Sequence, residues 1–361
     1  MRVGMDFRGG SLTAASGTHV YFSALAEALE DLGVSVMRMF QEIPASGLSS
    51  SLRSPRSAAG ALNGIRQRAA YYRDAEQKID LFATPHLNYF EGNKALRVVH
   101  VQDLAFQKVG GYSAIKRHFW SMSLNRTLKR FDKIIAISSS TANDITNTYN
   151  VPRSKISVIP HGLDSRFRLA PLTEKTRTEA PMFLHIGAHH PRKRIPDAIK
   201  IFKSIKTREP ASRMVIAGPF AADTATIEQT INDLDLAGTV DLRGPVSDQD
   251  LEQLYRQATG LIWTSAYEGF GLPLREAMAL GVPLFSVTNS SVPEVTGGHY
   301  QEIDTRLPEQ SAEAILACLA DQDRLNAQLT KARTLARSRS WKDVATETLA
   351  VWEQAILERK S

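Results

Sequence analysis

The stretch GLIWTSAYEGFGLPLREAMALG, residues 260–281, has the pattern of one strand–loop–helix unit. Its first part, GLIWTS, is a continuous apolar run typical of a strand that is buried on both faces. A glycine-rich loop follows, and Pro273 and Gly281 suit the first turn and the end of a helix. A buried strand joined to a helix by a short loop is the repeating unit of a parallel α/β sheet.

The same unit recurs along the whole chain in two series. The first series of strand candidates covers residues 2–7, 35–40, 80–84, 97–103, 133–138 and 156–161, and the second covers 182–187, 213–218, 239–244, 260–265 and 282–287. Helical patterns separate the strands, so the sequence predicts an α/β protein with two doubly wound, Rossmann-like domains. We expect domains at 1–168 and 169–340, a final helix at 341–361, and a central cleft between the carboxyl edges of the two sheets.

The composition fits a globular protein of a reducing compartment. The chain has 361 residues, of which 43% are hydrophobic and 23% are charged. Cys318 is its only cysteine, which excludes a disulfide framework. The first residues lack an apolar signal core, and no apolar run reaches the length of a membrane span. We therefore expect a cytoplasmic location.

The positive charge is concentrated in the first half. Residues 1–180 hold 24 Lys and Arg against 15 Asp and Glu, a net charge of +9, whereas the remainder carries −3. Two amphipathic stretches, 52–73 and 115–130, hold most of the excess. An anionic membrane surface or acceptor is as good an interpretation of the first stretch as a solvated helix. For the second we expect the apolar side chains to face the core, and no motif indicates a nucleic-acid partner.

The loop between strand and helix has the chemistry of a nucleotide-sugar site. Glu268 lies on the loop and Glu276 about one turn inside the helix, while Gly269 and Gly271 leave backbone N–H groups open to an anion such as a diphosphate. One carboxylate can accept hydrogen bonds from two vicinal hydroxyls, so each glutamate suits a sugar ring. The spacing alone is equally compatible with a solvated charge pair at a helix start.

A second segment supplies cations. In HIGAHHPRKR, residues 185–194, a strand ends at Gly187 and Arg192 and Lys193 precede a helix. Cations at this point can neutralise a diphosphate leaving group without a metal. The triplets at 233–235 and 248–250, Asp-x-Asp in each case, are interpreted as helix-end and helix-cap acids, so no metal site is predicted.

The stretch EGFGLPLREAMALGVPLFSVTNSSVPEV, residues 268–295, resembles the donor-site signature of the retaining family-four glycosyltransferases of the GT-B fold. FDKIIAISSSTANDI, VPRSKISVIPHGLD, FLHIGAHHPRKR and LRGPVSDQDLEQLY follow in the order typical of that family. The resemblance covers roughly residues 75–350. It implies a C-terminal helix that crosses back to the first domain, which would bind the acceptor.

The resemblance also implies roles for single residues. Glu276 would bind the ribose of the donor and Glu268 the transferred sugar, while Lys193 and Arg192 would hold the diphosphate. The residues expected to bind the donor are Gly17, Gly187, Arg243, Val246, Glu268, Gly269, Phe270, Gly271, Leu272 and Glu276.

One position departs from the family. Members commonly carry His-Asp after the fourth strand, whereas this chain has Gln102 before Asp103, with His100 two residues earlier. His100 and Gln102 point to the same face of a strand, so we expect His100 to be buried deeper and Gln102 to contact the sugar. Glutamine cannot exchange protons at neutral pH. Asp103, His100 and His161 are additional candidates.

The expected function is a metal-independent, cofactor-free, retaining glycosyltransferase. It would move a hexose of the mannose or glucose type from a nucleoside-diphosphate sugar to a glycan or lipid-linked acceptor in surface polysaccharide synthesis. Glu268, Lys193, Arg192 and Gln102 would act at the reacting centre, and the protein would be peripheral on the inner face of the plasma membrane. The alternatives are a nucleotide-sugar 2-epimerase of the same fold and a non-catalytic subunit that binds a partner enzyme or a membrane.

Overall fold

A computed structural model describes residues 1–7, 17–39, 72, 74–75, 77–85, 95–110, 112–171 and 180–360. Its strands are β1 (Arg2–Asp6), β2 (Ser35–Met39), β3 (Leu81–Thr84), β4 (Leu96–Val101), β5 (Lys133–Ala136), β6 (Ile156–Val158), β7 (Met182–Ile186), β8 (Arg213–Ala217), β9 (Val240–Arg243), β10 (Gly260–Trp263), β11 (Leu284–Ser286) and β12 (Gln301–Glu302).

The helices are α1 (Gly17–Asp31), α2 (Ala105–Lys108), α3 (Ala114–Arg130), α4 (Ser139–Tyr149), α5 (Ser165–Arg168), α6 (Ile195–Arg208), α7 (Thr224–Asp233), α8 (Asp248–Gln257), α9 (Leu272–Ala279), α10 (Val292–Thr296), α11 (Pro308–Ala320), α12 (Gln322–Arg337) and α13 (Trp341–Lys360). Two short 3₁₀ helices cover Arg153–Lys155 and Pro191–Lys193. No helix in these ranges is both long and apolar enough to cross a membrane.

The chain forms two units, each built on a six-stranded parallel sheet. The first unit comprises Met1–Leu104, Ala114–Gly162 and Trp341–Ser361, and the second comprises Ala105–Ser113 and Leu163–Ser340. Strand order is β2-β1-β3-β4-β5-β6 in the first sheet and β12-β11-β10-β7-β8-β9 in the second. The predicted fold class, two doubly wound α/β domains, is confirmed.

In the first unit the central strands are buried on both faces, and the last helix, α13, packs onto the unit. All four residues of β3 are buried. Helix α13 packs against α1 and β4, and it carries the fully buried Trp352. Helix α13 is therefore part of the first unit's core.

The core of the second unit lies between its sheet and helix α6. The apolar residues of α6 recur every three or four positions, so Ile195, Ile199 and Phe202 share one face and are fully buried. They pack against Phe183 of β7 in the same cluster. Truncating a buried phenylalanine of this kind to alanine costs about 3–5 kcal/mol.

The junction between the units lies slightly earlier than the sequence suggests. Residues 163–168, assigned above to the first domain, group with the second unit, as do 105–113. The reason is local packing. The N–H of Leu163 donates to the carbonyl of Arg339, and Phe167 of α5 lies edge-on to Tyr255 of α8 at 5.9 Å between ring centroids.

Helix α3 corrects the expectation for the second basic stretch. Leu124 and Leu128 do face the core, but Ile115, Phe119 and Met122 are 84%, 55% and 58% exposed. These three positions are spaced by four and three residues and form one exposed stripe on the opposite side. The first basic stretch, 52–73, lies outside the described residues except for Tyr72.

Candidate functional site

The predicted strand–loop–helix unit of the second domain forms as expected. Strand β10 ends at Trp263 and α9 begins at Leu272, with Pro273 in its first turn. Gly271 precedes the helix at φ 96° and ψ 57°, a left-handed conformation that favours glycine. Because the N-cap residue is a glycine, no N-cap side chain bonds to this helix start among the described residues. The positive end of the α9 dipole is therefore available to an anionic ligand.

Glu268 joins the two cations that were predicted to hold the diphosphate. Its Oε1 accepts from Lys193 Nζ at 2.6 Å and its Oε2 accepts from Arg192 Nη1 at 2.8 Å. Glu268 is 5% exposed and Lys193 is 7% exposed. Burial alone would raise the pKa of Glu268, but the charges of Lys193 and Arg192 outweigh it and lower the pKa to about 2. Glu268 is thus a carboxylate at every physiological pH.

Hydrogen bonds to backbone carbonyls connect the segment that carries the two cations to the loop after β10. Thr264 Oγ1 donates to the carbonyls of Lys193 and Arg194, both at 3.0 Å. The N–H of Ala266 donates to the carbonyl of Arg192 at 2.8 Å. Three hydrogen bonds therefore join the 3₁₀ helix after β7 to the loop after β10.

Aromatic residues lie beneath the lysine. Gly187 leaves room for the Lys193 side chain, because a Cβ at 187 would lie 3.1 Å from Lys193 Cε. Lys193 Nζ is 4.4 Å from the centroid of the Trp263 ring, within cation–π range. His185 stacks on Trp263, and its Nδ1 is 2.9 Å from the carbonyl of Ile262. Burial, and then the charge of Lys193, lower the pKa of His185 to about 3, so it adds no charge.

The segment after β11 supports Glu268 from the other side. The N–H of Glu268 donates to Ser290 Oγ at 2.9 Å. Ser291 Oγ donates to the carbonyls of Glu268 and Phe270 at 3.0 and 2.9 Å. Ser290 adopts a positive φ of 42°, which is uncommon for a residue with a side chain. The loop that carries Glu268 is therefore held by hydrogen bonds on both flanks.

Glu276 belongs to a second polar cluster, around α8. Its Oε2 accepts from the hydroxyl of the fully buried Tyr255 at 2.8 Å. Arg166, which pairs with Asp248 at 2.6 Å, also acts on this carboxylate. Burial raises the pKa of Glu276 to about 7, although the hydrogen bond from Tyr255 and the charge of Arg166 oppose the shift. Glu276 therefore titrates near neutral pH.

Arg243 and Val246, two of the predicted donor-binding residues, lie at the end of β9 and shortly after it. Arg243 Nε donates to Asp241 Oδ2 at 2.7 Å, and both side chains are exposed. Val246 is half-buried. Ser247 caps α8 by accepting from the N–H of Asp250 at 3.1 Å, which confirms the predicted helix-cap role of that Asp-x-Asp triplet.

Two of the additional candidates lie in the aromatic core of the first unit. His100 Nδ1 is 2.7 Å from the hydroxyl of Tyr21, and the ring of His161 stacks on Tyr21 at 4.7 Å. Both histidines are buried. Burial lowers the pKa of His100 to about 3, which keeps it neutral. His100 is thus as deep as its place in the strand predicts.

The remaining residues of the first unit are more accessible. Gln102 and Asp103 follow β4 directly and are half-buried, and Gly17 is the exposed first residue of α1. Gln102 is thus more accessible than His100, in line with the prediction for that pair. Its contact with a sugar stays a prediction.

The structure brings Glu268, Lys193 and Arg192 into direct contact and places Glu276 in a separate cluster with Tyr255. The sequence interpretation missed Tyr255, Trp263, Ser290 and Ser291 as supporting residues. Short polar runs directly after strands could have pointed to the serines. Within the described ranges, no group of three His, Cys, Asp or Glu is arranged to hold a metal ion.

Family models match both halves of the chain. The model described as Glycosyltransferase Family 4 matches residues 15–167, and the model described as Glycosyl transferases group 1 matches residues 173–335. O-antigen chain mannosyltransferase B of Escherichia coli is 26% identical over 65% of this chain and 64% of its own length. The MMP alpha-(1->4)-mannosyltransferase of Mycolicibacterium hassiacum is 26% identical over 64% of this chain. The match covers 56% of the length of that relative. This chain therefore spans less than two thirds of the length of each of these two relatives.

Solved structures share the fold over the full chain. The sucrose-phosphate synthase of Thermosynechococcus elongatus superposes with a TM-score of 0.74 at 18% identity and covers 100% of both chains. Anabaena Alr3699/HepE, solved with UDP and glucose, gives a TM-score of 0.70 at 17% identity, covering 98% of this chain and 99% of that one. Identities this low speak to the architecture alone, which is that of two Rossmann-like domains.

Proposed function

We propose that this chain, which belongs to the glycosyl transferases group 1 family and has the GT-B fold, moves a hexose from a nucleoside-diphosphate sugar to a glycan or lipid-linked acceptor. The observation that carries the proposal is the contact of Glu268 with Lys193 and Arg192 beside the uncapped start of α9. Cations and helix N–H groups meet there, as the departure of a diphosphate requires.

The diphosphate is proposed to bind where the two cations meet the start of α9. When the bond between the anomeric carbon and the phosphate oxygen breaks, its electron pair and negative charge go to the outer phosphate. Lys193, Arg192 and the N–H groups at Gly271 stabilise that charge without a metal. The acceptor hydroxyl oxygen forms the new bond on the same face, and its proton passes to the leaving phosphate. Configuration is retained and no general base is assigned.

Glu268 has two proposed tasks. In the free protein it holds the two cations in position, since both of its oxygens are engaged. With donor bound, the diphosphate shares those cations, and Glu268 accepts hydrogen bonds from hydroxyls of the transferred sugar. Gln102 of the first unit remains a proposed contact to the sugar and takes no part in proton transfer.

Glu276 is the proposed ribose-binding residue. A carboxylate whose second oxygen is held by Tyr255 can accept hydrogen bonds from vicinal hydroxyls with the oxygen that is left. The protein names among the relatives favour a mannose-type hexose, and the HepE complex contains UDP and glucose. We therefore propose a mannosyl or glucosyl donor used in surface polysaccharide synthesis.

The test is a screen of UDP-, GDP- and ADP-linked glucose and mannose for release of the nucleoside diphosphate. Transfer to an added glycan or lipid-linked acceptor supports the proposal. Isomerisation of the donor sugar without an acceptor would instead identify a 2-epimerase. Failure of the purified protein to bind any of the three nucleoside diphosphates in calorimetry would identify a non-catalytic subunit.

Helix α3 supports a further part of the proposal, peripheral binding to the inner face of an anionic membrane. Its exposed stripe of Ile115, Phe119 and Met122 continues, along the same face, into exposed cations. The helix sequence contains no Asp or Glu. Apolar side chains flanked by cations match the surface of a bilayer with acidic headgroups.

This membrane contact is tested with vesicles. The intact chain is expected to float with phosphatidylglycerol-containing vesicles and not with pure phosphatidylcholine. Phe119→Glu combined with Met122→Glu should abolish flotation, whereas the matched control Leu357→Glu, at a position 63% exposed on α13, should not. Equal flotation of the double variant and the wild type would contradict this part of the proposal.

A further inference from the structure

A cavity of about 700 Å³ opens at one edge of the second sheet, where β11 and β12 end and α11 begins. Its volume lies within the range of roughly 300–1,000 Å³ that is usual for sites that bind small molecules. None of the residues assigned above to the donor lines it. The cavity is therefore a candidate site for a different ligand.

The inner surface of the cavity is apolar. Ile303, which follows β12, is 4% exposed, and Val287, which follows β11, packs against the core of the unit. Ala314 of α11 is half-buried, and Leu307, directly before that helix, is 44% exposed. These side chains form a small aliphatic surface. Packing the C–H face of a sugar ring on it removes apolar area of both partners from water.

Polar groups at the entrance of the cavity are available to a ligand. In the part of the chain that the structure describes, the side chains of Glu302 and Gln310 have no hydrogen bond or ion pair. The carboxylate of Glu302 can accept hydrogen bonds from two vicinal hydroxyls, and the amide of Gln310 can both donate and accept. Both side chains can bind a sugar without first losing a protein partner.

The charges that line the cavity balance. Two cations, Arg194 and Arg306, and two carboxylates, Glu302 and Asp304, contribute to the lining. Arg306 Nη2 lies 2.6 Å from Asp304 Oδ2, and Arg194 Nε lies 3.1 Å from Asp197 Oδ2. A cavity without net charge suits an uncharged ligand rather than a phosphate.

Hydrogen bonds hold the walls of the cavity in place. The N–H of Asp304 donates to Ser311 Oγ at 2.9 Å, and that hydroxyl donates to the carbonyl of Asp304 at 2.8 Å. The N–H of Ile303 donates to the carbonyl of Ser286 at 3.0 Å. These bonds join the loop after β12 to α11 and to β11. The cavity is thus formed before a ligand arrives, which lowers the entropic cost of binding.

The cavity adjoins the segment that supports Glu268. The strand order β12-β11-β10-β7 places it on the opposite side of Glu268 from the strand that precedes Lys193. Thr288, which lines the cavity, lies two residues before Ser290, whose Oγ accepts from the N–H of Glu268 at 2.9 Å. With the transferred sugar at Glu268 and the diphosphate at Lys193, an acceptor can extend from the sugar toward β11 and β12.

We propose that this cavity binds uncharged hexose residues of the acceptor glycan, away from the hydroxyl that attacks the donor. The inference rests on the proposed function and deepens it, because it commits to an acceptor with several neutral sugars. Leu307 and Val287 pack against the faces of the sugar rings, while Glu302 and Gln310 bind their hydroxyls. This contact on the second unit adds to the acceptor binding that the family resemblance implies for the first.

The experiment measures glycan and nucleotide binding separately. NMR titrations follow linear α-linked mannose and glucose disaccharides and tetrasaccharides, and calorimetry follows UDP, GDP and ADP. At least one tetrasaccharide should bind the wild type. Leu307→Asp and Glu302→Ala should each weaken that glycan about fivefold or more and leave nucleoside diphosphate affinity unchanged.

Two matched controls come from exposed residues of the same unit that do not line the cavity. Leu169→Asp, at a position 66% exposed, is the control for Leu307→Asp, and Glu309→Ala is the control for Glu302→Ala. Both control variants should bind the glycan and the nucleotide as the wild type does.

Two results overturn the inference while the proposed function stands. In one, a nucleoside diphosphate binds the wild type but no glycan of the set does. In the other, a glycan binds and both cavity variants keep wild-type affinity for it. If the wild type binds no nucleoside diphosphate, the proposed function fails and this inference fails with it.

Discussion

Glu268 and Lys193 form a buried ion pair in which carboxylate Oε1 lies 2.6 Å from ammonium Nζ. Arg192 binds the other carboxylate oxygen at 2.8 Å. The protein therefore supplies its own anion to the cations proposed to receive the diphosphate. A ligand diphosphate has to share or replace a contact that the fold has already made.

Removing that internal anion gives the first prediction. Glu268→Gln keeps the shape of the side chain but removes the carboxylate charge that pairs with Lys193 and Arg192. We expect the free variant to lose about 3–5 kcal/mol of stability, the usual cost of breaking a buried pair. Pyrophosphate should then raise its melting temperature more than that of the wild type, because the ligand restores the missing charge.

Thermal unfolding with and without pyrophosphate measures this effect. Glu294→Gln, a substitution of an exposed glutamate in the same unit, is the control and should behave like the wild type. A smaller shift for Glu268→Gln than for the wild type would show that the carboxylate does not compete with the diphosphate.

The second prediction concerns pH and Glu276. In the proposed ribose contact the hydroxyls donate to the carboxylate of Glu276, so this contact needs the ionised form of Glu276, whose pKa is about 7. Nucleoside diphosphate affinity should therefore rise with pH and be about tenfold weaker at pH 6 than at pH 8. Because a terminal phosphate also titrates near pH 6, Glu276→Gln is the matched control. Its weaker binding should lack most of this pH dependence.

Tyr255→Phe tests whether Tyr255 affects nucleotide binding through the ionisation of Glu276. The Tyr255 hydroxyl donates to Glu276 and favours its ionised form, so its loss should move the midpoint of the pH profile upward. A pH profile of nucleotide affinity that is the same in the wild type and in both variants would exclude Glu276 as the titrating group.

The stability of the folded protein should depend on pH with the opposite sign to nucleotide affinity. A folded-state pKa above the ordinary value of 4.5 means that Glu276 lowers stability as pH rises from about 4.5 to 7.

A third prediction concerns metal ions. Lys193 and Arg192, which lie beside Glu268, are proposed to supply the positive charge that a divalent cation provides in other phosphate sites. Treatment with EDTA should leave the rate of donor turnover unchanged, and adding Mg²⁺ or Mn²⁺ should not raise it. A requirement for either ion in steady-state assays would show that the two side chains are insufficient.

The parts of the fold that follow local rules were predictable. Pro273 lies in the first turn of α9, as the sequence predicts, because proline fits that position. Gly281 follows the end of α9 with a φ of 70°, which suits a glycine at a helix end. Two parallel sheets followed from the alternation of buried strands with helices. These features depend on residues close together in the chain.

Features that depend on distant contacts were not predictable in the same way. The periodicity of α3 shows two apolar faces, and only the packing of Leu124 and Leu128 decides which one is buried. The local sequence does not show that the ring of Phe220 lies against Gly244, because the two residues are brought together by the packing of separate loops. The pairing of Glu268 with Lys193 joins residues 75 positions apart, and no local pattern encodes it.

Lys193, Arg192 and the loop that carries Gly269 and Gly271 are proposed to bind and activate a nucleoside-diphosphate sugar. The most direct measurement is titration calorimetry of UDP, GDP and ADP into the wild type and Lys193→Ala, with the folded state of both verified by their thermal unfolding. At least one nucleotide should bind the wild type, and its affinity should fall by about tenfold or more in the variant, as for loss of a charged hydrogen bond worth about 1.5–3 kcal/mol. Equal affinity in the two proteins, or no binding to either, would show that Lys193 does not bind a donor diphosphate.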